Sequence, residues 1–169
     1  MSLSETLEEN GHKVHIPQHQ ALLKKWGREN LREFPWRRTQ DPYRVLMAEF
    51  MLLRTQAKQV VPVFREFLER YPSLDELSAA SREDVGEVLR PLGLSWRADR
   101  VYETSQALRD EFDGEVPRSR ESLMSLPGVS QYIAGAVRCF SYGEPEALID
   151  TNTVRITGRL FGLEVKSSS

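Results

Sequence analysis

Apolar residues along this chain recur at helical spacing, and proline, glycine and small polar residues interrupt them at short intervals. Residues 1–17 carry no such period and are expected to be frayed. Leu22, Leu23, Trp26 and Leu31 mark an amphipathic helix from Gln18 to about Arg32, ended by Phe34-Pro35. After a loop from Trp36 to Gln40, Asp41-Pro42 supplies a capping carboxylate followed by a proline suited to the first helical turn. That helix is expected from Tyr43 to about Gln56, and the next carries Val63, Phe64, Phe67 and Leu68. Ser73-Leu-Asp-Glu76 and Ser81-Arg-Glu-Asp84 have capping-box spacing and open two short helices, the second closed at Pro91-Leu-Gly93. Helices from Trp96 to Phe112, Ser119 to Leu126, Ser130 to Tyr142 and Thr151 to Phe161 follow. No alternating stretch is long enough for a strand, and nothing repeats, so the fold class is all-α: short helices joined by short connections.

Composition narrows the class without naming a function. With 169 residues, 40% hydrophobic and 28% charged, the chain can bury a real core. No apolar run reaches the ~20 residues of a membrane span, and the acidic start (Glu5, Glu8, Glu9) has no signal-peptide character. A soluble, cytoplasmic, monomeric protein away from the membrane is expected. The single cysteine, Cys139, excludes an internal disulfide or a four-cysteine cluster and reads as a small packed side chain. His12, His15 and His19 would share a face on a helix, but Pro17 among them and the lack of a carboxylate partner argue against a metal, and none is expected. The net charge of −2 argues mildly against nucleic acid. Most cations are arginines, however, and several are paired: Arg37-Arg38, Arg97/Arg100, Arg118/Arg120 and Arg155/Arg159. These suit phosphate or simply solvated helix faces.

Three places could carry chemistry. Leu126-Pro-Gly-Val-Ser-Gln131 reads as a tight turn between two helices, and the amides of Gly128, Val129, Ser130 and Gln131 at a helix start form an anion site of the helix-dipole kind. A plain packing corner would look the same. Glu49 lies within Val45–Leu53, a helix apolar all round and therefore buried; there a carboxyl group is expected to hold its proton toward neutral pH, unless it turns to solvent or pairs with an arginine. Asp150, in Ala-Leu-Ile-Asp-Thr-Asn, is an ordinary helix N-cap that can still offer one oxygen to a cleft. A raised acid facing an ionised one is what glycosidic cleavage needs.

Taken in order, these segments resemble the helix-hairpin-helix DNA glycosylases of the endonuclease III-like branch, from about Phe34 to Gly162. Phe34-Pro-Trp-Arg37, Asp41-Pro-Tyr43 and Glu49-Phe-Met-Leu-Leu-Arg-Thr-Gln56 are similar to the enzymes that remove an undamaged base from a mismatch. Leu126–Gln131 is similar to the family hairpin, and Ile149–Arg155 to the segment with its essential aspartate. The resemblance implies a six-helix barrel over 41–162, an incomplete second helical domain begun by 18–40, and a truncated tail at 163–169. It implies double-stranded DNA carrying a mismatched base as partner, base excision repair as the setting and a nucleoid-associated enzyme. Catalysis falls to Asp150, Glu49 and Tyr132, DNA contact to Leu126, Gly128, Val129, Ser130, Gln131, Arg54, Thr55 and Gln56, and a base pocket to Trp36 and Leu46.

Bifunctional members attack the sugar with a lysine where this chain has Tyr132, so a monofunctional, water-using enzyme is implied. Arg54, Gly93–Ser95 and Tyr132 resemble the thymine-mismatch branch, and the expected substrate is thymine or uracil opposite guanine. Adenine opposite guanine or 8-oxoguanine is the alternative. Family members that carry a 4Fe-4S cluster hold it in a C-terminal part absent here, so no cofactor is expected. A DNA-binding module that has lost catalysis, or a helical protein-binding scaffold, are the readings of another class.

Overall fold

The computed structural model describes the backbone of residues 6–9 and 12–162, with side chains from residue 16 onward. The expected tail at 163–169 lies outside the described residues. The chain divides into two compact units, one from Phe34 to Leu148, the other made of the segments before and after it.

In the flanking unit, Thr6–Glu9 (β1) pairs antiparallel with His12–His15 (β2), Leu7 opposite Val14. This corrects the expectations of an irregular N-terminus and of no strand. Four residues a side are too short for alternation to stand out in the sequence. The pairing also removes the shared histidine face, because His12 and His15 lie on a strand while His19 lies on the first helix. That helix, α1, runs Ile16–Asn30 and buries none of its side chains. His19 and Phe161 bring their ring centroids to 6.3 Å.

The Phe34–Leu148 unit is helical throughout its regular structure. It comprises α2 (Pro42–Leu52), α3 (Ala57–Arg70), α4 (Leu74–Ala79), α5 (Arg82–Leu89), α6 (Ser95–Glu111), α7 (Arg120–Ser125) and α8 (Gln131–Tyr142), with 3-10 turns at Pro35–Arg37 and Arg90–Leu92. The caps follow the sequence. Asp41 accepts the amides of Tyr43 and Arg44, Ser73 and Glu76 close a capping box, and Ser81, Ser119 and Ser130 each accept an amide three residues on. Such caps satisfy amides that a short helix has no carbonyls to reach.

Helix α2 is the central rod. Its Val45, Leu46, Met47, Ala48, Phe50 and Met51 are all buried, and it packs along α8, α3 and α6. The compact unit takes in Phe34 and the loop after it, where Phe34 stacks on Trp36 at 5.0 Å and Trp36 meets Phe64 edge-on at 5.4 Å. It ends at Leu148, so the last helix, α9 (Thr151–Phe161), falls in the flanking unit.

Candidate DNA-binding hairpin and catalytic carboxylates

The turn between α7 and α8 is built for close approach. Gly128 has φ +77°, and a Cβ there would lie 2.8 Å from Arg100 Cδ, so α6 passes directly beneath the turn. Thr104, fully buried on α6, donates its hydroxyl to Pro127 O at 2.6 Å and fixes the turn from below. Leu126 and Val129 are buried; Gly128, Ser130 and Gln131 are exposed. The Val129 amide closes the turn onto Leu126 O at 3.2 Å, so it is spent inside the chain. Its expected place among the anion-binding amides is corrected accordingly: a turn this tight consumes one of its own donors. The amides of Gly128, Ser130 and Gln131 have no acceptor among the described residues, and they lie where the α8 dipole favours a negative charge.

Glu49 is only 8% exposed, on the central rod. No cation pairs with it among the described residues, and burial alone pushes its carboxyl up to about 7. Asp150, in the flanking unit, caps α9. Its Oδ1 accepts the Thr153 amide at 2.7 Å, its Oδ2 accepts from Asn152 at 3.2 Å, and its own amide donates to Thr153 Oγ1. The Thr153 amide leads the interactions that hold the Asp150 carboxyl below its ordinary value. The two acids are thus pushed in opposite directions, each by its own surroundings.

The approach to Asp150 is pinned within the larger unit. Glu146 is held by Arg120 and Arg138, and Leu148 packs close over Gly135 of α8. Arg118 pairs with Glu144. These arginines thus face carboxylates, and Arg97, expected among the phosphate cations, is fully buried.

The helix expected to reach Gln56 stops at Leu52, because Arg54 takes a left-handed φ of +54°. Thr55 closes the loop by donating its amide to Leu52 O, and Arg54 and Gln56 face outward. Arg97 donates to Leu53 O and to Thr55 Oγ1 from beneath. Tyr132 is half-buried near the start of α8 against the core. Trp36 and Leu46, the expected base-pocket residues, are buried in the core of this unit, Leu46 with no exposed surface. What the sequence did not show is the bonding of Arg97 and Thr104 and the outward, left-handed setting of Leu94, whose φ is +61°.

Among the described residues no group of histidine, cysteine or carboxylate side chains could hold a metal. One cysteine cannot ligate a four-cysteine cluster, so the residues present do not fit one.

Residues 47–169 match the family model described as HhH-GPD superfamily base excision DNA repair protein. The thymine/uracil-DNA glycosylase of Pyrobaculum aerophilum is 42% identical over 144 residues, covering 84% of this chain and 63% of that protein. The adenine DNA glycosylase of Mycolicibacterium smegmatis is 35% identical over 138 residues, covering 81% of this chain and 47% of that one. A solved thermostable thymine-DNA glycosylase superposes with a TM-score of 0.80 at 30% identity, over 84% of this chain and 66% of that chain. The chain therefore spans less than two thirds of the length of these relatives.

Proposed function

Since this chain belongs to the HhH-GPD superfamily of base excision DNA repair proteins, we propose that it serves as a monofunctional DNA glycosylase that removes thymine or uracil opposite guanine. The observation that carries this reading is Glu49: a carboxyl group on the central helix with no cation partner among the described residues, poised near neutrality, beside a family match whose relatives include a thymine/uracil-DNA glycosylase.

The target nucleotide is swung out of the stack, at a cost lowest at a mismatch. The amides of Gly128, Ser130 and Gln131 hold a phosphate, and Arg54, with Thr55 and Gln56 behind it, fills the vacated space. As the C1′–N1 bond breaks, the base departs with the bonding electrons and Asp150 stabilises the cationic sugar. Glu49 takes a proton from water as its oxygen joins C1′, leaving an abasic site and free base. Tyr132 stands where a lysine would otherwise attack the sugar, so no strand cleavage accompanies excision. The substrate is double-stranded DNA, handled by one copy of the chain.

The pH dependence separates the two substrate classes. Thymine leaves as an anion spread over its carbonyl groups and needs no proton, so Glu49 works ionised and the rate climbs through pH ~7. Adenine departs only when protonated on its ring; Glu49 would then work as an acid and the rate would fall through the same pH. The test is a duplex panel with T:G, U:G, A:G and A:8-oxoG, followed by alkaline cleavage of abasic sites. Product from T:G and U:G, with no nick before alkali, is expected. Excision of adenine alone overturns the substrate. No product from any duplex, with DNA binding unchanged in Asp150→Asn and Glu49→Gln, overturns the enzyme in favour of a binding module.

A further inference from the structure

Arg97 is the largest fully buried side chain among the described residues. It lies on the stripe of α6 formed by Ala98, Val101, Thr104 and Leu108, where an aliphatic residue would fill the space more cheaply. No carboxylate pairs with it among the described residues, and burial pulls its guanidinium below the ordinary arginine range. What offsets the burial is a fork of bonds to neutral acceptors. Nη1 donates to Leu92 O at 3.1 Å and Gly93 O at 3.2 Å; Nη2 donates to Leu53 O at 2.5 Å and Thr55 Oγ1 at 2.8 Å; Nε has no partner.

The acceptors belong to two loops far apart in sequence, residues 53–56 and residues 92–94. Each presents one non-glycine residue in the left-handed region, Arg54 at φ +54° and Leu94 at φ +61°, with its side chain exposed. Such conformations persist only where the surroundings over-determine them. Here the bonds from Arg97 grip Leu53 and Thr55 on either side of Arg54, and Gly93 just before Leu94.

We infer that Arg97 is a positioning residue that locks these two loops into one preset wedge, with a polar tip at Arg54 and an apolar tip at Leu94, and that its contribution falls on opening the duplex rather than on breaking the glycosidic bond. The inference rests on the DNA-glycosylase reading above. A lysine has the charge but not the planar fork, so it reaches one loop and not both.

The experiment compares the full chain with Arg97→Lys and Arg97→Met. Three quantities are read: the fluorescence rise of 2-aminopurine placed beside a T:G mismatch on binding, affinity for matched duplex, and hydrogen exchange of residues 53–56 and 92–95. Each variant should lose about tenfold or more in the rate of the fluorescence rise, the scale expected for a charge-assisted hydrogen bond, while matched-duplex affinity moves by under about threefold. Exchange should accelerate in both loops together. Should Arg97→Met fail to unfold cooperatively, Thr55→Val removes one acceptor without stranding a buried charge; it should accelerate exchange in both loops and slow opening in the same direction. An equal loss of matched-duplex binding and opening, an unchanged opening rate, or acceleration confined to one loop overturns the inference. A wild-type chain that opens the mismatch with coupled loops yet excises nothing overturns the enzymatic reading and supports this one.

Discussion

Two carboxyl groups of nearly the same intrinsic acidity end up with opposite characters. Glu49 is pushed up to about 7 because nothing near it replaces the water it has lost; Asp150 is held low because helix amides bond its charged form. The first shift is also a statement about stability. A folded value above the unfolded one, about 4.5, means the native state holds the extra proton, so this contribution is fully present below pH 4.5 and is lost as pH rises through 7. The loss at pH 8 is on the order of 3 kcal/mol. Glu49→Gln keeps the shape and removes the charge. Denaturation curves at pH 5 and pH 8 should therefore show a variant more stable than wild type at pH 8 and much less sensitive to pH between them, while excision falls by ~10²-fold or more. A variant no more stable at pH 8 would mean that the carboxylate finds a partner. Glu49 was legible in the sequence because a charge stood in an apolar helix. Arg97 carried the same signal, a charge in core register with Ala98, Val101 and Thr104, but the stripe is interrupted by so many polar residues that its register was hard to see.

At the scale of elements, the short helices are specified locally, and their caps appear where the sequence puts them. Asp41, Ser73, Ser81, Ser119, Ser130 and Asp150 all accept amides of the helix they precede. For Asp150 this creates two roles that one substitution can confuse. Asparagine caps a helix about as well as aspartate but carries no charge, whereas alanine loses both, at a cost of roughly 1 kcal/mol. Asp150→Asn should leave the thermal midpoint close to wild type and abolish excision; Asp150→Ala should lower the midpoint as well. If Asp150→Asn keeps full excision at an unchanged midpoint, the residue is a cap and nothing more. The C-terminal end of α2 and the strands of the β1–β2 ribbon were not visible in this way. A left-handed arginine at position 54 depends on bonds from another helix, and a four-residue strand depends on its partner.

Across the whole molecule, eight of the fourteen arginines in the larger unit pair with a carboxylate among the described residues: Arg44 with Asp41, Arg70 with Asp84, Arg82 with Asp99, Arg100 with Glu103, Arg109 with Asp110, Arg118 with Glu144, and Arg120 and Arg138 with Glu146. With a net charge of −2, the proposed DNA binding would therefore lean on backbone amides and a helix dipole more than on free cations. Affinity should fall with salt along a shallow line, with a log–log slope of about −1 to −3, corresponding to a few displaced counterions. Titrations across salt concentrations check this; a slope near −6 would mean that the ion pairs open onto phosphate. The sequence by itself determined the helices, their caps, the hairpin, the two acids and the family, because each depends on residues close together or on a pattern that survives being read in one dimension. Only the tertiary structure decided that Trp36 and Leu46 are buried in the core, that the Val129 amide is spent, that Arg100, Arg118 and Arg120 face carboxylates, and that Arg97 ties two loops together. Those outcomes depend on which groups from distant segments compete for the same hydrogen bond or the same buried space, and a linear pattern does not contain that competition.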